Sequence, residues 1–112
     1  MDQTMFNNMV AELRRGTHML SVLSQLKTNQ YGYSLLQALE AKGVFIEAGT
    51  LYPLMRRLES QGLLSSEWDV SESRPRKYYR LSEEGLEVYQ KLIDEWQKIV
   101  NEIKLIVEEE NK

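Results

Sequence analysis

From Met5 to Leu26 apolar residues return every three or four positions: Met5, Phe6, Met9, Val10, Leu13, Met19, Leu20, Val22, Leu23 and Leu26. That period predicts an amphipathic helix. Gly16 falls on its seam, where glycine costs about 1 kcal/mol against alanine. Either another backbone approaches closely there, or the segment breaks into two helices. The pattern reads as one long helix, with or without a kink. A polar connector, Lys27 to Gln30, follows, and then a short helix from Tyr33 to Ala41 stopped by Gly43, which suits a left-handed cap. Val44-Phe45-Ile46 is an apolar turn expected to pack inward.

A third helix begins between Glu47 and Thr50. Thr50 as its N-cap would put Pro53 at the third helical position, within the turn that tolerates proline. Leu51, Leu54, Met55 and Leu58 then form the buried stripe. Thr50, Tyr52, Pro53, Arg56, Arg57 and Ser60 face out, and Gly62 closes the helix. Two short strands come next. Leu64, Trp68 and Val70 share one face of the first, and Lys77, Tyr79 and Leu81 one face of the second, with Tyr78 and Arg80 opposite. The polar loop Ser71-Glu72-Ser73-Arg74-Pro75-Arg76 between them makes a β-hairpin with basic residues at its tip. Ser82 caps the last helix, whose first turn carries Glu83 and Glu84 at the positive end of the dipole. Leu86, Tyr89, Ile93, Trp96, Val100, Ile103 and Val107 then form a heptad seam, with Leu92, Ile99 and Ile106 beside it. A helix from Ser82 to Glu109 is roughly 40 Å long, more than the small domain before it can cover. Its surplus apolar face calls for a second copy of the chain.

The fold class is therefore mainly α with a small β-hairpin. It divides into residues 1–81, an N-terminal helix plus a winged helix-turn-helix, and residues 82–112, a dimerisation helix. In a winged helix the third helix enters the major groove and the hairpin lies on the phosphate backbone.

Charge at first opposes that use, because 14 Lys and Arg against 17 Asp and Glu leave the 112-residue chain at −3. Its distribution removes the objection. Residues 1–81 hold ten basic groups against eight acids, and residues 82–112 hold four lysines against nine acids. The basic groups cluster as Arg56-Arg57 and as Arg74, Arg76, Lys77 and Arg80, a local footprint that net charge hides. With no cysteine there is no disulfide, thiolate zinc site or thiol nucleophile. His18, the only histidine, has no carboxylates gathered at metal-ligand spacing and is read as a surface or interface residue. Glu83 and Glu84 are adjacent on a helix and diverge, so they make no catalytic pair. No phosphate-binding glycine loop, nucleophile elbow or metalloprotease motif is present. The chain is read as a non-enzyme without cofactor or metal. No apolar run nears the ~18 residues of a spanning helix, and Met1-Asp2-Gln3 is not a basic signal-peptide start, so a cytoplasmic protein is expected.

Several blocks carry a family resemblance. Tyr31-Gly32-Tyr33, Gly49-Thr50-Leu51-Tyr52-Pro53-Leu54 with Arg57-Leu58-Glu59, Gly62-Leu63-Leu64, and Arg74-Pro75-Arg76-Lys77-Tyr78-Tyr79-Arg80-Leu81 before Glu84-Gly85 resemble the PadR family of transcriptional regulators. The resemblance runs from about Leu13 to Val107 and is nearest the small subfamily with one C-terminal helix. It implies a homodimeric bacterial repressor that binds double-stranded DNA and pairs through its C-terminal and N-terminal helices. The acidic stretch from Glu67 to Glu72 departs from that pattern.

The expected DNA contacts are Thr50, Tyr52, Arg56 and Arg57 on the third helix and Arg74, Arg76 and Lys77 on the hairpin. Arg57 could instead pair with Glu59 or Glu47. Tyr79 is expected to pack under the hairpin and Tyr78 to lie nearer the third helix. Gly32 and Gly62 sit at helix ends, where tight turns or positive φ suit glycine. Some members of the resembled subfamily bind drugs or phenolic compounds, and Asp94-Glu95-Trp96 resembles their ligand-stacking tryptophan. Trp96 is thus read either as a platform for a planar aromatic effector or as ordinary dimer packing. The competing function is a winged-helix protein-docking module with a coiled-coil tail and no DNA binding.

Overall fold

A computed structural model describes residues 1–110 as α1 (Gln3–Arg15), α2 (His18–Ser24), α3 (Gly32–Ala41), α4 (Ala48–Ser60), β1 (Leu64–Asp69), β2 (Arg76–Leu81) and α5 (Glu83–Glu110). The strands form one antiparallel hairpin, registered from Leu64 opposite Leu81 to Asp69 opposite Arg76. No described helix is long and apolar enough to cross a membrane.

The core is a single cluster drawn from α2, α3, α4 and the loops and strand that join them. Val22, Leu23, Leu26, Leu35, Leu39, Ile46, Leu51, Met55, Leu58 and Leu64 are all buried. Tyr79, Leu81, Tyr89 and Leu92 pack against it from the hairpin and the start of α5. Two helix ends are finished in the same way. After α3, the Gly43 N–H donates to Glu40 and the Val44 N–H to Leu39. After α4, the Gly62 N–H donates to Glu59 and the Leu63 N–H to Leu58. Both are Schellman turns, and the φ of 81° at Gly43 and 79° at Gly62 is what they demand of glycine. The hairpin is tied to the body through its second strand. Tyr79 exchanges two backbone hydrogen bonds with Gln30, and the Leu81 N–H donates to the Leu26 carbonyl at 2.7 Å.

The N-terminal segment is two helices rather than one. The break falls at Gly16 and Thr17, where the Thr17 hydroxyl turns back to the Arg14 carbonyl at 2.8 Å. Within the single chain a side chain at Gly16 would meet nothing within 4 Å. The start of the third predicted helix also differs. Glu47, not Thr50, occupies the N-cap of α4, and Thr50 is the third helical residue, its N–H donating to the Glu47 carbonyl. Pro53 consequently stands at the sixth position, on the exposed face. It removes the hydrogen bond the Gly49 carbonyl would accept, and Gly49 is exposed enough to take water instead. In the turn before α4, Ile46 packs inward but Phe45 is 73% exposed. Three apolar residues in a row cannot all face one core, and the shortest link from Gly43 to α4 turns Phe45 outward.

The joint between hairpin and α5 is tight. Ser82 caps α5 as its sequence position suggests, its Oγ accepting the Gly85 N–H at 2.9 Å and donating to the Gly62 carbonyl at 2.7 Å. Gly85 is buried against the backbone of Leu63, and a Cβ there would collide with the Leu63 carbonyl.

Candidate nucleic-acid interface

The stripe of Leu51, Met55 and Leu58 roots α4 in the core, with Leu54 half-buried beside it. The opposite face is therefore presented to solvent: Thr50, Tyr52, Pro53, Arg56, Arg57 and Ser60 are all exposed. Arg57 forms no ion pair with Glu59 or Glu47; among the described residues neither Arg56 nor Arg57 has a carboxylate partner. Two guanidinium groups on an exposed helix face, each free to donate, can grip phosphates or the acceptor edge of guanine.

Between α4 and the hairpin lies an open groove of about 730 Å³. Tyr52 and Arg56 line it from the helix, Trp68, Arg74, Pro75, Arg76 and Lys77 from the hairpin, and Tyr31 and Tyr33 from the start of α3. The sequence-predicted residues Tyr52, Arg56, Arg74, Arg76 and Lys77 are thus brought to one concave surface, mixing cations with aromatic rings. Thr50 and Arg57 stand on the same helix but outside the groove lining. Trp96 belongs elsewhere, at the middle of α5, where it is 42% exposed.

Two of the basic side chains are held in place. The Arg76 guanidinium lies over the Tyr31 ring, 4.6 Å from its centroid, and Tyr78 meets the same ring edge-on at 5.4 Å. A guanidinium held over a ring face can still donate from its outer N–H groups. Lys77 reaches across to α4, its Nζ 3.0 Å from Glu59, and also lies over the Tyr79 ring. Glu59 accepts from the Ser66 hydroxyl as well. Those hydrogen bonds, Ser66 first and then Lys77, hold the Glu59 carboxyl below its ordinary value, and Glu59 in turn raises Lys77. The pair clamps helix to hairpin. Arg74 is exposed in the connecting loop.

The hairpin's faces sort differently from expectation. Tyr79 packs against the core as expected, but the face turned to α4 is that of Lys77 and Tyr79, while Tyr78 turns to Tyr31. The face shared by Leu64, Trp68 and Val70 is buried only at Leu64, with Trp68 and Val70 62% and 71% exposed. The acidic approach to the tip is partly self-contained. Asp69 accepts from both the hydroxyl and the backbone N–H of Ser71, which lowers its pKa.

Sequence reasoning missed three participants. Glu59 stood as an alternative partner for Arg57, yet its partner comes from eighteen residues downstream. Tyr31 becomes a stacking plate only through the pairing of Gln30 with Tyr79. Gly32 has no positive φ, unlike Gly43 and Gly62. Its requirement is space: a Cβ on Gly32 would lie 2.5 Å from the Tyr52 ring. The aromatic-glycine-aromatic block of residues 31–33 was the available signal, but its meaning depends on where α4 passes.

Comparison with known proteins gives concordant matches. The family model described as the transcriptional regulator PadR-like family matches residues 19–91. A transcriptional regulator of Mycobacterium tuberculosis is 39% identical over 75 residues, covering 66% of this chain and 70% of that protein. The crystal structure of a PadR family transcriptional regulator from Eggerthella lenta is similar at a TM-score of 0.89, with 51% identity and 93% of each chain covered. A PadR-like transcription factor from Bacteroides fragilis is similar at 0.74, with 32% identity, over 88% of this chain and 98% of that one.

Proposed function

The chain belongs to the PadR-like family of transcriptional regulators, which makes it a DNA-binding regulator, and we propose that it acts as a homodimeric repressor on a roughly palindromic operator. The observation that carries this reading is the shared surface of α4 and the hairpin, where Arg56, Arg74 and Arg76 converge on one open groove. In this reading Thr50, Tyr52, Arg56 and Arg57 meet base edges and phosphates in the major groove, and Arg74, Arg76 and Lys77 meet the flanking backbone. Lys77 keeps two of its three ammonium protons for that contact while the third holds Glu59.

In this reading residues 1–81 comprise the N-terminal helix and the winged helix-turn-helix that reads DNA, residues 82–112 are the dimerisation helix, and the N-terminal helix joins it in pairing. Support for pairing comes from the apolar surface left on both arms. Met5, Phe6, Met9 and Leu13 of α1 and Ile99, Ile103, Ile106 and Val107 of α5 are all 44–77% exposed. A chain with this much bare apolar surface buries it against a copy of itself. Two recognition helices so related reach half-sites about one helical turn, ~34–36 Å, apart. Trp96, placed in that arm, would stack a planar aromatic effector whose binding releases the operator. Such a regulator works in the cytoplasm, where the DNA is.

The test is duplex binding as a function of salt, using a fragment selected from a randomised duplex pool. Affinity is expected to fall steeply as salt rises, and Arg56→Ala to weaken binding by about tenfold or more. A protein-docking module would show neither effect, and unchanged affinity of Arg56→Ala would remove that residue from the interface.

A further inference from the structure

Gly32 opens α3 with an ordinary helical backbone, since the only positive φ values among the described residues are at Gly43 and Gly62. Nothing in its conformation excludes alanine, a better helix former by about 1 kcal/mol in an interior position and less at an end. What an alanine would meet is Tyr52. A Cβ at Gly32 would stand 2.5 Å from Cε1, 3.0 Å from Cζ and 3.2 Å from the hydroxyl oxygen of that ring. The far edge of Tyr52 therefore rests on the bare Cα at the start of the preceding helix. Tyr52 is 37% exposed there, one turn before Arg56 on the outer face of α4.

We propose that Gly32 is a positioning residue for DNA reading: by leaving room for the Tyr52 ring it fixes where the tyrosine hydroxyl meets the duplex. The inference rests on α4 being the DNA-facing helix. An ordinary carbon–carbon contact needs 3.4 Å or more, so a methyl group at Gly32 pushes the ring edge outward by roughly an ångström. Hydrogen bonds weaken steeply over such a distance, being made at about 2.7–3.2 Å and lost by about 3.5 Å. The obstructing atoms are the end of a side chain that can rotate, not backbone. Gly32→Ala is therefore expected to move the ring and spare the fold.

The experiment compares wild type, Gly32→Ala, Tyr52→Ala, the double variant and Arg56→Ala, each as the full chain. Affinity is measured for the pool-selected duplex and for a scrambled duplex of equal length, with melting temperature alongside. Gly32→Ala is expected to melt within a few degrees of wild type and to bind the selected duplex about tenfold more weakly, with scrambled DNA unaffected. The double variant is expected to bind no worse than Tyr52→Ala alone, because both act through one ring. Wild-type binding by Gly32→Ala, or losses that add in the double variant, would overturn the proposal. So would a collapse in melting temperature, which would mean that backbone and not ring has to yield. If Tyr52→Ala and Arg56→Ala both bind normally, the reading of α4 itself fails, and the positioning role falls with it.

Discussion

Helices α1 and α4 are each thirteen residues long, and each carries an apolar stripe at helical spacing. Their fates differ completely. Within its own chain α4 buries Leu51, Met55 and Leu58. In α1 no residue is buried, and Leu13 is 77% exposed. The same division runs through α5. Its first turns give Tyr89 and Leu92 to the core, whereas from Asp94 to Glu109 no residue is buried and only Val100 is of intermediate exposure. Amphipathic pattern thus states that a face will be covered without stating by what. In the winged half the covering surface lies in the same chain. For the arms it lies in another molecule, by the reading proposed above.

The sharpest way to test this contrast is to remove one apolar side chain from each side of it. Leu58→Ala is expected to cost about 2–5 kcal/mol, measured by urea denaturation, because Leu58 is fully buried. That loss should be the same at every protein concentration if the winged half is self-contained. Paired substitution of Ile103→Asp and Ile106→Asp is the opposite case. Both residues are more than half exposed in the single chain. They should leave the core intact yet convert a dimer to a monomer in sedimentation, and abolish the concentration dependence of the melting temperature. A wild-type chain that sediments as a monomer would break the comparison.

The smallest effect concerns the clamp inside the winged half. Glu59 is bound as the anion by Ser66 and Lys77, so folding lowers its pKa below 4.5. Its contribution is complete above pH 4.5 and is lost as pH falls through the lower folded-state value. Both partners are more than a quarter exposed, so the expected contribution is under about 1 kcal/mol. Glu59→Gln should flatten the acid limb of the stability profile by that amount. The same variant should loosen the hairpin, read as faster hydrogen exchange at the Tyr79 N–H. An unchanged acid limb would show that the clamp contributes nothing to folding.

Much of this was legible before any coordinates. The stripe of α4, the turn glycines Gly43 and Gly62, the two hairpin strands around a polar loop and the Ser82 cap all follow from local chemistry, and the blocks of residues 31–33, 49–59 and 74–85 pointed to the family. The misreadings are of two kinds. Glu47 in place of Thr50 as cap depends on how the chain arrives from Ile46. Phe45 faces out because Ile46 takes the inward position. Tyr78 meets Tyr31, and Glu59 meets Lys77, only once β2 has docked on Gln30. The last two were settled by contacts between segments distant in sequence, which no period or propensity contains. Gly16 shows the limit from the other side: the pattern read as one long helix, and the chain instead breaks there between α1 and α2.

The joint formed by Ser82 and Gly85 has a mechanical consequence. The hydrogen bond from the Ser82 hydroxyl to Gly62, the one it accepts from Gly85, and the seat of Gly85 on Leu63 leave α5 no slack where it meets the end of α4. A stiff rod butted onto a reading head is a lever. With an arm of about 40 Å, a turn of roughly 5° at one end displaces the other by ~3.5 Å, close to the rise of one nucleotide. In the dimer proposed above, a slight change in the crossing of two such rods would move the reading heads by a base-pair step. A small molecule wedged between the rods could therefore put them out of register with the operator without touching the DNA.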